Sequence, residues 1–338
     1  MKILITGGGG FIGSHIAERI LADGHEVAIV DDLSGGVNYA PQGATLIERS
    51  ILAEGHRRGV AGVQLDGTDA VVHCAAYANL RNNWDDAGER MQLLRDNIIA
   101  TQALLEAMPA VPIVFLSSAS VYGSGSSGGD RDEHGHRCAW EKDASAETCE
   151  SPYAATKLAG EALVAAYAFK RGTPWHALRL VNVVGPRVHR GVIVDFVRMM
   201  RDKGAIHAAD DGRQTKPWVH VLDVADVVVR CLDRTDRADV FEPSLPGTTN
   251  LRTVIHGQRP VPSGVYNVTS RELISWHDVI DAMGIPRDQV THEDRDRGAV
   301  GDPHNLRVSG DKLAQYYRPV RSVREGIEEA LQHLGWTP

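Results

Sequence analysis

The 338-residue sequence is poor in cysteine: Cys74, Cys138, Cys149 and Cys231 are the whole set, with no Cys-x-x-Cys pair. This excludes a disulfide-stapled scaffold and a paired-cysteine zinc ribbon, and it suits a reducing compartment. No apolar run approaches the ~18 residues of a membrane span. Lysine and arginine are scattered through a chain of net charge -8, which leaves no concentrated basic face for a nucleic acid. The opening residues, Met1 to Thr6, have no basic leader and no small-residue cleavage site. They read as a first strand rather than a signal peptide. Internal repeats are also lacking. These absences leave a soluble, cytoplasmic globular protein, long enough for one large domain or two smaller ones. His134, His136 and Cys138, with Cys149 further on, are zinc-ligand types. Their spacing fits no common structural-zinc pattern and the segment is rich in Gly and Ser, so a polar surface loop is the better reading and no metal is expected. Cys74 follows the apolar run Ala70-Val71-Val72-His73 and reads as core.

What is present is an alternation. Short β-branched runs (2–6, 26–30, 44–47, 70–74, 111–117 and 175–181) are separated by helical patterns at 12–22, 89–107 and 153–171. Strand–helix alternation predicts a parallel sheet covered by helices on both faces. Two stretches break it: 124–150, rich in Ser, Gly and charge, and 241–264, with four prolines. Loops of that length are usually functional, and the first is expected as a mobile cover over the substrate. Beyond residue 183 the pattern is irregular, with short strands at 218–221 and 265–268. The expected division is therefore 1–182 for the main domain and 183–338 for a smaller α/β lobe over the sheet's carboxyl edge.

The first strand runs into Thr6-Gly7-Gly8-Gly9-Gly10-Phe11-Ile12-Gly13 and then an amphipathic helix. Glycines at 7, 10 and 13 allow a tight turn, close approach of backbone to a pyrophosphate, and close helix–strand packing. The helix N-terminus offers free N–H groups and a positive dipole end. The second strand ends in Asp31-Asp32, where a carboxylate can accept from the ribose hydroxyls of an adenosine and repel a 2′-phosphate. No arginine follows closely in sequence. A Rossmann-type doubly wound sheet binding NAD rather than NADP is the expectation.

Tyr153-Ala154-Ala155-Thr156-Lys157 puts a phenol and an ammonium four residues apart on one helix face. A nearby Lys⁺ and a positive nicotinamide ring would together lower a tyrosine pKa from ~10 toward a useful range for a general base. The motif follows a strand ending in Leu116-Ser117-Ser118-Ala119-Ser120, whose carboxyl end should meet the nicotinamide. With TGGGGFIG at 6–13, DDL at 31–33, HCAA at 73–76, DNIIAT at 96–101, SSASVYG at 117–123, SPYAATK at 151–157, LRLVNVVGPR at 178–187 and DGRQTKPWVHVLDVADV at 211–227, nearly the whole chain resembles the extended short-chain dehydrogenase/reductase family, in its nucleotide-sugar epimerase/dehydratase branch. That resemblance implies a catalytic Ser118, Tyr153 and Lys157. It implies a cofactor wall of Gly7, Gly10, Phe11, Ile12, Gly13, Asp31, Asp32 and Asn97 together with Tyr153 and Lys157. It further implies Ser118, Ser120, Asn182, Lys216 and Arg297 on the side of a nucleotide-diphosphate sugar, and a homodimer built on the helices near 89–107 and 153–171. Asn97 has a plainer reading as a backbone bridge.

Three departures bear on that picture. Arg49-Ser50-Ile51 stands where many relatives have Gly-Asp-Ile, so Ser50 replaces an adenine-contacting aspartate. Lys216 stands for the usual arginine, a point charge in place of a bidentate fork. Ala119-Ser120 stands where dehydratases of the family place Asp-Glu and decarboxylases a glutamate. An elimination needs a carboxyl there; a 4-epimerase, which returns the hydride to the other face of a 4-keto sugar, does not. The expected activity is an NAD-dependent nucleotide-sugar 4-epimerase. The alternatives are a 4,6-dehydratase, a related decarboxylase or dehydrogenase, and, in a different class, a non-catalytic NAD-binding sensor.

Overall fold

The computed structural model describes residues 1–52, 65–78, 86–124, 138–209, 211–233, 260–270, 272–293 and 306–337. Its frame is a seven-stranded sheet. The first strands are β1 (Lys2–Thr6), β2 (Glu26–Asp31), β3 (Thr45–Glu48), β4 (Ala70–His73) and β5 (Ile113–Ser118). Across the sheet the order is Gly264–Val268, Trp175–Leu180, β5, β4, β1, β2, β3, with every neighbouring pair parallel. Strand order reverses between β1 and β4, so a crevice opens beyond the carboxyl ends of these two strands. The inner strands are apolar runs because helices cover both faces. Every residue of β4 is buried, as are the first five of β5.

The helices that matter for the site are α1 (Phe11–Ala22), α2 (Ala87–Leu93), α3 (Ala100–Ala107) and α4 (Pro152–Arg171). Ser151 caps α4 by accepting from Ala154 N, Pro152 sits in its first turn, and Gly172 ends it in the left-handed region at φ 63°. The single helix expected over 89–107 is three pieces. Asp86 caps α2 by accepting from Gly88 N and Glu89 N, and a π-helical turn, Leu94–Ile99, separates α2 from α3. Among the described residues no helix is long and apolar enough to cross a membrane.

The sheet crosses the expected boundary at 182 and 183. Gly264–Val268, expected in the C-terminal lobe, closes the main sheet beside Trp175–Leu180. The helix Val221–Leu232 packs on the main sheet as well, its Val224, Val227 and Val228 sharing a core with Ile16 and Ile20 of α1. The rest of the C-terminal half has its own core of Val184, Ile193, Phe196, Trp218, Ile280, Met283 and Ile327. It carries a small sheet in the order Leu273–Ser275, Thr215–His220, Asn182–Val184.

Of the long insertions, 125–137 and 234–259 lie outside the described residues. Residues 138–150 do not float over the surface. Cys138–Ala139 pairs in parallel with Arg307–Val308, Thr148 Oγ1 donates to Val121 O (2.6 Å), and Glu141 O accepts from Arg179 Nη1 (2.9 Å). Arg179 is the centre of this attachment. Its Nε and Nη2 form a fork on Glu161 of α4 (2.9 and 2.7 Å), and Nη1 also donates to Tyr122 OH, which donates to Asn267 Oδ1. Both partners are about 95% or more buried. Removing one member strands the other charge in the core, which typically costs about 3–5 kcal/mol. Glu161→Ala is therefore expected to lower the unfolding free energy by about that amount in urea denaturation, whereas exposed Glu328→Ala should change it by less than about 0.5 kcal/mol.

Candidate active site

The glycine loop is built tightly enough that side chains are excluded. Gly7, at φ +70°, donates from N to Val30 O (2.9 Å), and a Cβ on it would stand 2.6 Å from Ala75 N. A Cβ on Gly13 would fall on Gly7 O. α1 therefore starts flush against the end of β1. Its N-cap is Gly10, with no side-chain cap and no acidic residue in the first turn. An uncapped, uncharged helix start facing the crevice fits a diphosphate.

At the end of β2, Asp31 closes this loop from the other side. Oδ2 accepts from Gly9 N and Oδ1 from Leu33 N, both at 2.9 Å. Asp32 points away, accepting from Ser34 N in an exposed turn. Asp31, not Asp32, thus adjoins the glycines. Ser50 Oγ accepts from Leu52 N (3.2 Å) in its own turn. Sequence distance hid one basic neighbour: Arg190 Nη2 donates to Gly35 O (3.3 Å) in the loop after β2. Phe11 is half-buried against the core of the C-terminal half and edge-on to His15.

Ser118, Tyr153 and Lys157 come together where β5 meets α4. Ser118 ends the strand, and its hydroxyl accepts from Ser120 N (3.2 Å) to cap the short turn Ala119–Tyr122. Tyr153 and Lys157 share the buried face of α4, and the Tyr153 phenol lies beside Ser118. Lys157 Nζ donates to Leu116 O (2.9 Å), 5.1 Å from the Phe115 ring centroid and 5.8 Å from that of Tyr153. Burial pushes the Tyr153 phenol up to about 12, with the neighbouring Ser118 hydroxyl pulling the other way. Burial also brings the Lys157 ammonium down to about 8, against the pull of Cys74 and Glu161. In the free protein, without the nicotinamide charge that the expectation also invokes, the phenol is thus raised, not lowered. The lysine's proton is directed at a backbone carbonyl, and desolvation of the phenol dominates. Burial also raises the thiol of Cys74 to about 12, which disfavours its thiolate.

Asn97 sits in the π-helical turn with its amide in use. Oδ1 accepts from Tyr77 N (2.7 Å), while Nδ2 donates to Tyr77 O and to Thr156 Oγ1 (both 3.0 Å). It bridges the loop after β4 to α4, as its plainer reading had it. Ser120 Oγ is buried and has no partner among the described residues. Asn182 is exposed on Asn182–Val184 and stands in register with Trp218, two residues beyond buried Lys216 on the neighbouring strand. With the alternation of a strand, 182, 216 and 218 share one face. Arg297, His134 and His136 lie outside the described residues.

Residues 3–243 match the family model described as NAD dependent epimerase/dehydratase family. The dTDP-L-rhamnose 4-epimerase of Burkholderia thailandensis is 29% identical over all of this chain and 90% of its own length. The UDP-N-acetyl-alpha-D-glucosaminuronate decarboxylase of Bacillus cytotoxicus is 28% identical over 71% of this chain and 74% of its own. The crystal structure of a UDP-glucuronic acid 4-epimerase from Bacillus cereus, in complex with UDP-glucuronic acid and NAD, superposes with a TM-score of 0.73 at 22% identity, covering 99% of both chains.

The burial of Tyr153 has a spectroscopic consequence. In the ligand-free protein, the ultraviolet difference titration of wild type minus Tyr153→Phe should show the phenolate step near 12. No step should appear between about pH 6 and 9, where a phenol activated by its neighbours would titrate.

Proposed function

Because this chain belongs to the NAD dependent epimerase/dehydratase family, we propose that it is a nucleotide-sugar 4-epimerase. The observation that carries the reading is Ala119-Ser120. Directly after Ser118 these positions offer one methyl and one hydroxyl without a partner among the described residues, and no carboxyl for an elimination. The uncapped start of α1 and the glycine loop would hold the diphosphate of NAD, with Asp31 toward its adenosine ribose. When bound, the cofactor supplies a hydride acceptor and donor beside a positive charge.

The side chains do the remaining work. Ser118 and Tyr153 share the C4 hydroxyl of the sugar, and Tyr153 takes its proton on the outward step and returns it on the way back. A phenol at about 12 in the free protein becomes a competent base as cationic charge gathers near it. Lys157, anchored on Leu116 O, keeps one such charge on the buried face of α4. Ser120 Oγ has hydrogen-bonding capacity left for the sugar. Asn182 and Lys216, on one face of the small sheet, serve the nucleotide diphosphate, with Arg297 as a further basic residue for it. In this reading 1–182 supplies the redox half of the site and most of 183–338 the nucleotide half.

The enzyme would work as a homodimer. Met91, Leu94 and Ile99 along α2 and the π-helical turn are 44–64% exposed, and Phe169 near the end of α4 is 91% exposed. Apolar residues in that number on adjoining helices favour a second copy over water. Light scattering at micromolar concentration should give twice the chain mass for wild type and the single mass for Ile99→Glu.

The reaction is tested with a panel of nucleotide-sugars followed by mass spectrometry. The product is expected at unchanged mass, inverted at C4, without carbon-bound deuterium from heavy water and without NADH accumulating. Tyr153→Phe should keep NAD binding and lose turnover by about 10²-fold or more, as for a deleted general base. A product lighter by water or carbon dioxide would make the enzyme a dehydratase or decarboxylase.

A further inference from the structure

Between the glycine loop and the helices lies a run of buried polar side chains whose hydrogens can be placed by counting donors. Thr101 Oγ1 donates its one proton to Asn97 O (2.7 Å). It must therefore accept from His73 Nε2, 2.8 Å away, so Nε2 carries the ring hydrogen. His73 Nδ1 is left as an acceptor, and Thr6 Oγ1 at 2.6 Å donates to it. Thr6 Oγ1 in turn accepts from Ala75 N (3.3 Å). One neutral tautomer satisfies every member, and His73, Thr6 and Thr101 are all at least 99% buried.

The run reaches both halves of the redox site. Thr6 immediately precedes Gly7, whose missing Cβ leaves room for Ala75 N. At the other end Asn97, besides accepting from Thr101, clamps the backbone of Tyr77 and bonds Thr156, whose hydroxyl donates to Tyr153 O (2.8 Å). The π-helical turn is where the branches meet, and such turns commonly serve functional sites.

We propose that His73, held as its Nε2–H tautomer between Thr6 and Thr101, is a positioning residue that sets the gap between the glycine loop and the helix carrying Tyr153 and Lys157. Its importance for turnover rests on the reading of Tyr153 as the base; the tautomer does not. Burial brings the imidazole down to about 3, with the Lys157 charge adding to the effect. The relay therefore stays intact across the working pH range. A protonated ring would place an N–H against the donating Thr6 hydroxyl.

Long-range nitrogen-15 NMR of the imidazoles, with His73→Gln for assignment, should show His73 as a single Nε2–H tautomer that does not titrate between about pH 5 and 9. Thr101→Val removes the acceptor that holds that hydrogen among the described residues. It is expected to shift the tautomer balance and to lower kcat about tenfold or more. KM and NAD affinity should stay within about twofold, and the deuterium effect for a C4-deuterated sugar should increase. Thr101→Ser, which keeps the hydroxyl, should restore all of these. If Thr101→Val does not fold, Thr101→Ala asks the same question. An Nδ1–H ring, a titrating ring, or unchanged kcat in Thr101→Val would overturn the proposal. So would equal losses in Thr101→Val and Thr101→Ser that follow melting temperature. If wild type turns over no nucleotide-sugar, the functional reading fails separately. The relay is then decided by the tautomer spectra and by whether the Tyr153 titration step moves in Thr101→Val and returns in Thr101→Ser.

Discussion

Helix α4 is registered on the sheet by the fork between Glu161 and Arg179. Tyr153, Lys157 and Glu161 follow one another at intervals of four along its buried face. A rotation or slide of the helix that moved the phenol away from Ser118 would therefore also break a two-bond ion pair in the core. Two charges taken out of water gain little net stability over a well-packed apolar pair. Their effect is on the alternatives: every other register leaves a charge unpaired, at a cost of several kcal/mol. Ser117 adds a third bond to the same carboxylate from the residue adjoining Ser118. The strand that carries the serine and the helix that carries the tyrosine are thus keyed to one another beside the proposed point of chemistry.

The same burial that makes the key strict also sets the electrostatics. Tyr153 is held too basic and Lys157 less basic than in water, both because neither charged form is well solvated. A free protein of this kind keeps its phenol protonated and silent. A cationic ligand would change this, which in the proposed mechanism ties the competence of Tyr153 as base to occupancy of the adjoining cradle. An exposed Tyr-x-x-x-Lys on another helix would have the same sequence and none of this coupling.

The parts of the fold legible in the sequence are those with a local cause. The apolar runs of β1, β4 and β5, the glycine turn against α1 and the Tyr153/Lys157 face follow from periodicities and from steric needs within a few residues. What local pattern could not reveal depends on partners far along the chain. Gly264–Val268 joins the main sheet because Trp175–Leu180 offers it an edge. Arg190 reaches the loop after β2 from 155 positions away. The π-helical turn has no compositional signal; it is explained by Asn97 meeting Tyr77 and Thr156. His73 read as one more residue of an apolar strand, and only the two threonines on either side of its ring give it a task.

Phe11 links the two cores. It opens α1 directly after the glycines, yet its ring packs against the cluster that includes Trp218 and Ile193. Trp218 is the register partner of Asn182 and lies two residues from Lys216. The backbone that would carry a cofactor's diphosphate and the strand face that would carry a substrate's thus lean on one shared apolar cluster. Because close-packed interiors yield little to small displacements, packing rather than the ligands would set the distance between the two proposed diphosphate positions. A site that must move a hydride between two bound molecules needs that separation fixed before either arrives.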